Sequence, residues 1–185
     1  MSHSTTNNLK NSQVKTEVWK RYFTFNTDHK VIGIQYLVTT FIFFLIAGIM
    51  SMMIRGELIT PASDLVDRSL YNGLFTLHGT VMIFLWIIPS LVGLANYLIP
   101  LMIGAKDMAF PKLNAIAFWL IPVGGTLLLS SFLLPSGTAQ AGWWSYPPVS
   151  IQNPTGYPIN GETIWLLSII FLGVYFFRGD TSFYS

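Results

Sequence analysis

The chain has 185 residues, 52% of them hydrophobic and only 10% charged, with a formal net charge of +2 and a mean hydropathy of +0.53. Soluble domains carry about 25% charged residues, so the composition excludes an ordinary soluble fold and points to a membrane protein. The small, scattered charge excludes a nucleic-acid surface, and the absence of cysteine excludes disulfides, thiolate ligation and a Cys nucleophile.

Residues 1 to 30 are polar, with Lys10, Lys15, Lys20, Arg21 and Lys30 set against Glu17 and Asp28. The Ser/Thr/Asn-rich start reads as disordered, and V-W-K-R-Y-F-T-F (18–25) suits a short interfacial segment. No cleavable signal pattern is visible. The first apolar run, an uncharged 31–53, is therefore expected to stay as an anchor, and it is long enough to span a membrane as a helix. A polar loop over 56–70 follows. The second span, 74–103, has no formal charge and holds Pro89 and Pro100. A kink is expected near Pro89, since prolines are tolerated in membrane helices when neighbours re-satisfy the freed carbonyls. After a short loop with Lys106, Asp107, Pro111 and Lys112 comes a third span at 115–134. The uncharged loop 135–160 is rich in Gly, Pro and aromatics, which places Trp143, Trp144 and Tyr146 at headgroup depth. A fourth apolar stretch, 163–177, has 15 residues against the ~20 needed to span, and reads as incomplete.

These features predict an all-α, polytopic membrane bundle fragment with three full transmembrane helices and a truncated fourth. Five Lys/Arg precede the first span and two lie between the second and third, so the positive-inside rule puts the N-terminus and Asp107 inside and the His78 end of the second helix near the outer face. Three spans and a stub do not enclose a cavity well, which points to work as part of a larger assembly.

His78 is the strongest chemical candidate, because an imidazole inside an apolar span is expensive and defaults to function. Three readings stay open: a core histidine bonded to a neighbouring helix, a metal or haem ligand, and a proton relay. Gly79 beside it would let a flat ring approach the backbone. Asn96 follows His78 by five α-turns, which predicts one shared face about 27 Å long. It reads either as a helix–helix hydrogen-bonding residue or as part of a pathway. Asp107 reads as a solvated loop acid or a proton-entry carboxylate. Tyr36 and Thr40 form a polar stripe of the packing kind, and Arg55 is a snorkelling cation or a partner for an anionic or carbonyl group.

Five motifs then carry a family resemblance: T-D-H-K-V-I-G (27–33), M-I-R-G-E-L (53–58), L-H-G-T-V-M-I-F (77–84), A-N-Y-L-I-P-L-M-I-G-A-K-D-M-A-F-P-K-L-N (95–114) and G-W-W-S-Y-P-P (142–148). The chain resembles subunit I of the haem–copper oxidases, on the cytochrome c oxidase side, in a bacterial or cyanobacterial form. The resemblance implies that His78 is an axial ligand of a low-spin haem of the a type. It places Arg55 at the haem's peripheral carbonyl and Tyr71 and Trp143 at its propionates. It makes Asp107 the entrance of a D-type proton pathway, with Asn96, Asn114 and Tyr36 holding water along it. Glu57 matches a position of a peripheral Ca²⁺ or Na⁺ site. The implied partners are lipids, subunits II and III and cytochrome c, and the implied location is a bacterial plasma membrane or thylakoid membrane.

The family's subunit has about a dozen helices. The second haem, copper B with its three histidines and the partner of His78 are therefore expected only in the full-length subunit, and the present chain alone is expected to be inactive. The domain layout expected from this is a polar extension at 1–30, a subunit-I portion at 31–177 and an aberrant tail at 174–185. Where the family continues Leu-Gly-Ala-Ile, this tail reads Phe-Arg-Gly-Asp, as a change of reading frame near residue 175 would produce. Two rival readings remain: a non-catalytic membrane piece, and a transporter segment relaying protons without haem.

Overall fold

The computed structural model describes residues 20–59, 61, 65–151, 156 and 158–181, with side chains as far as Tyr175. The polar start at 1–19, part of the loop expected at 56–70 and the last four residues lie outside the described residues. Within them every regular element is helical. The elements are α1 (His29–Glu57), α2 (Arg68–Thr80), a π-helical segment (Val81–Ile87), α3 (Ile88–Ile103), α4 (Pro111–Ser130) with a 3₁₀ turn at Ser131–Leu133, a second 3₁₀ turn at Val149–Ile151, and α5 (Gly161–Thr181). Since α2, the π segment and α3 run on without a break, the described residues hold three helices long and apolar enough to cross a membrane, as composition predicts.

The helices start where side chains can satisfy their first amides, and mostly before the apolar runs begin. Asp28 caps α1 by accepting from the Lys30 amide at 2.9 Å, and Asp67 caps α2 by accepting from Leu70 at 3.1 Å. The second helix therefore begins six residues ahead of its apolar run, which puts Arg68 on a helix and not in the loop. Pro111 opens α4 at a position where its missing N–H costs nothing. Asn160 accepts from both the amide and the hydroxyl of Thr163 at 2.9 Å and starts α5, which runs 21 residues through Arg178 and Asp180, past the 15-residue apolar stretch.

The helix changes type just ahead of Pro89. Proline cannot donate to the carbonyl of the preceding turn. The turns before it widen to the i→i+5 pattern, with the Ile88 amide bonded to Ile83 O. One extra residue in a turn swings everything beyond it by about 100°.

Packing depends on glycines that let helices close up, as expected where apolar burial alone does not drive helices together. A Cβ on Gly93 would lie 2.5 Å from Cβ of Tyr36, and one on Gly33 would lie 3.0 Å from Gly93 O, so α1 and α3 meet almost backbone to backbone. Phe43 of α1 lies over Gly125 of α4, and Leu172 of α5 lies against Gly124. Tyr36, Phe43, Leu77, Leu85, Phe118, Ile121 and Leu172 form the shared core. Met52, Leu91 and Met102 stay exposed on outward faces.

Candidate functional site

Two polar sites lie at opposite ends of the bundle. At the first, His78 is half-buried on α2, and its Nδ1 lies 2.9 Å from the backbone carbonyl of Ala47 on α1. A carbonyl only accepts, so Nδ1 carries the proton and, in the neutral ring, Nε2 is the atom with the lone pair. No hydrogen bond from another described residue reaches Nε2. This is the arrangement metal-ligating histidines use, one ring nitrogen tied to an acceptor so that the other is fixed in tautomer and direction.

Two glycines leave room for a flat group near His78. A Cβ on Gly48, next to Ala47, would meet nothing within 4 Å, and one on Gly79 would meet only Trp143 Nε1 at 3.8 Å. An apolar groove of about 470 Å³ runs past Gly48 along Phe44, Leu45, Ile49 and Met52.

The other residues expected at this end are placed by the antiparallel α1–α2 pair. Tyr71 is two turns before His78 and Arg55 two turns after Ala47. At about 1.5 Å per residue, both sit some 10–12 Å from His78 along the axis, level with each other. Arg55 is exposed and Tyr71 half-buried. Trp143 packs against Phe84 with ring centroids 5.6 Å apart, and its indole N–H donates to Thr80 Oγ1 at 3.2 Å. Glu57 Oε2 accepts from the amides of Leu65 at 2.9 Å and Val66 at 3.1 Å. Among the described residues no three His, Asp or Glu converge as a metal cluster.

The second site lies at the Asp107 end. Asp107 is exposed and helps line a surface depression of about 540 Å³ with Thr27, Phe110, Lys112 and Leu113. Behind it Asn96 and Asn114 are fully buried, and Asn96 Nδ2 donates to Asn114 Oδ1 at 3.2 Å. Tyr36 lies one turn deeper: its ring is 5.2 Å from Phe118, which follows Asn114 by four residues. Asn96 Oδ1, Asn114 Nδ2 and the hydroxyls of Tyr36 and Tyr175 are buried without a protein partner. Buried polar groups are paired in stable proteins, so these four atoms call for ordered water.

His78 bonds to α1 through Ala47 O, while Asn96 lies between α1 and α4, its backbone oxygen beside His29 and its side chain on Asn114, and a π segment separates the two. Sequence reasoning missed His29. It is buried at the first position of α1, and its Nδ1 lies 3.1 Å from Asn96 O. The signal was its place just after a capping Asp, ahead of the counted span. Thr80 and Glu162 went unnoticed as well, since a lone hydroxyl or acid at a helix end carries no pattern.

Comparison with known proteins identifies the family. The family profile for cytochrome c and quinol oxidase polypeptide I matches residues 31–183. Cytochrome c oxidase subunit 1 of Thermostichus vulcanus is 57% identical over 166 residues, covering 89% of this chain and 29% of that protein. The protein of the same name from Synechocystis is 55% identical, again over 89% of this chain and 29% of the relative. That of Corynebacterium efficiens is 44% identical over 80% of this chain and 25% of the relative. The chain thus spans under a third of the length of these relatives, and it belongs to the cytochrome c and quinol oxidase polypeptide I family.

Proposed function

We propose that the chain is part of the catalytic subunit of a proton-pumping cytochrome c oxidase, in which His78 is one axial ligand of a low-spin haem and Asp107 opens a proton path. The observation that carries the reading is the Nδ1 bond to Ala47 O at 2.9 Å, which leaves a correctly prepared nitrogen beside two open glycines. A haem of the a type held there supplies one-electron transfer. Arg55 tunes it by charge from the neighbouring helix end, while Tyr71 and Trp143 hold its acidic side chains. The remaining oxygen of Glu57 is assigned to a peripheral Ca²⁺ or Na⁺.

At the other end, Asp107 collects protons at the surface depression, and the Asn96–Asn114 pair and Tyr36 pass them inward along bound water. This requires the N-terminus and Asp107 on the inside of a bacterial plasma or thylakoid membrane and His78 near the outside, as the basic residues before α1 indicate. The described residues supply one ligand imidazole at His78, so oxygen reduction, the second haem and copper B are assigned to the complete subunit. Subunits II and III and cytochrome c are its proposed partners.

The test uses the full chain in lipid nanodiscs with added haem and free imidazole standing in for the second axial ligand. A low-spin bis-imidazole spectrum is expected, and it is lost in His78→Ala. The same spectrum at the same haem affinity without His78 would overturn the ligand assignment. A wild-type chain that takes up no haem would favour the transporter-like or non-catalytic reading.

A further inference from the structure

Just ahead of α1 the chain folds back towards the helix it is about to enter. Asn26 Oδ1 accepts from the Asp28 amide at 2.9 Å, a side-chain turn of the Asx kind, and Thr24 Oγ1 donates to Arg21 O at 3.4 Å. The Arg21 guanidinium donates to Asp28 Oδ2, while Oδ1 caps α1 through the Lys30 amide. Arg21 is 52% exposed, and exposed ion pairs contribute little on their own. These local bonds shape the segment but do not hold it to α1.

That tie comes from Gln35, six residues into α1 and 5% exposed. Its Nε2 donates to Tyr22 O at 2.9 Å and to Thr24 O at 3.4 Å. A side-chain amide nitrogen has two hydrogens, and both go to this one segment. A buried amide is costly without partners, and residues 22 and 24 supply them only while the segment stays folded back. The segment leads into Thr27, which is half-buried and lines the depression that also holds Asp107 and Lys112.

We propose that Gln35 is the positioning residue of the Asp107 mouth: by anchoring the Tyr22 and Thr24 carbonyls it sets Thr27 as a fixed wall of the depression. The inference rests on the reading of Asp107 as a proton entrance for its functional consequence, but not for its geometry. The consequence is a mouth of constant width, through which water meets Asp107 beside an ordered chain.

The experiment uses the full chain in lipid nanodiscs at low ionic strength. The sequence has no cysteine, so Thr27→Cys introduces the only thiol. Its rates of modification by a cationic and an anionic methanethiosulfonate reagent are compared, with Asp107 present and with Asp107→Asn. A unit charge about 7 Å away changes the local concentration of a singly charged reagent about threefold in water. The two reagents respond in opposite directions, so Asp107→Asn is expected to lower the cation-to-anion rate ratio about threefold or more. In Gln35→Met, an apolar side chain of similar size, the same replacement is expected to move the ratio less than about twofold, because the thiol is no longer held in the depression. Gln35→Lys keeps a donor at similar reach and is expected to restore the full dependence on Asp107. Equal dependence with and without Gln35→Met, or none in either, overturns the proposal, as does Gln35→Lys behaving like Gln35→Met. A fall in helix content in Gln35→Met, read by circular dichroism, would make Gln35 a folding residue and also overturn it. No proton transfer or haem enters the measurement, so it decides the role of Gln35 even where the proton-entrance reading of Asp107 fails.

Discussion

Replacing Gly93 by alanine tests how closely the α1–α3 contact is drawn. The added Cβ would sit 2.5 Å from Cβ of Tyr36 and 3.3 Å from Gly33 O, whereas carbon contacts are comfortable at about 3.5–4.0 Å. Neither obstacle is the end of a flexible side chain, so the helices must part by about 1 Å or more. Overpacking of this kind costs about 1–3 kcal/mol, and alanine returns about 0.5–1 kcal/mol of helix propensity over glycine. The net loss then centres on about 1 kcal/mol and reaches about 2.5 kcal/mol at most, roughly fivefold or more in the folded-to-unfolded ratio. The same separation stretches the 3.1 Å contact between His29 and Asn96 O, and so disturbs the buried asparagine pair. Reversible unfolding in bicelles, followed by circular dichroism, measures the loss. Gly48→Ala is the internal control, because its Cβ meets nothing within 4 Å and only the propensity gain remains. If the two variants were equally stable, the close-contact argument would be wrong.

Two further outcomes follow from the same geometry. Glu162→Leu removes the acceptor for the Gln140 and Ala141 amides and is expected to cost about 1–2 kcal/mol. Amide exchange at 140 and 141 should speed up, while Glu162→Gln, which keeps a carbonyl oxygen, should lose less; unchanged exchange in the leucine variant would show that the acid does not hold the loop. Pro89→Ala restores the missing donor, so the π segment is expected to relax to α-helix and swing Asn96 away from Asn114. Faster exchange of the Asn96 side-chain amide would report this, and an unaltered rate would mean that packing, not proline, holds the wide turn.

The membrane spans were readable from hydropathy alone because an apolar run in lipid has few options besides a helix. The helix starts were less so. Asp67 and Pro111 are short polar or cyclic signals outside the apolar runs, and they extended α2 and α4 beyond the hydrophobic stretches. His78 stood out because an ionisable group inside a span is costly. Thr80 did not, since a threonine in a helix is unremarkable until two indoles, of Trp143 and Trp165, are seen to end on it. His29 was hidden in the same way, by a position at the edge of the counted span.

By itself the sequence determined the membrane class, the number of spans and the family, since composition, run length and the block from Ala95 to Asn114 depend only on residue order. The three-dimensional fold decided which neighbours those residues meet. His78 and Asn96 are spaced for one face of an ideal helix, yet a π segment lies between them, and His78 bonds to α1 while Asn96 bonds to both α1 and α4. An extra residue in a wide turn rotates every later residue by about 100°, and no local hydropathy pattern records that rotation.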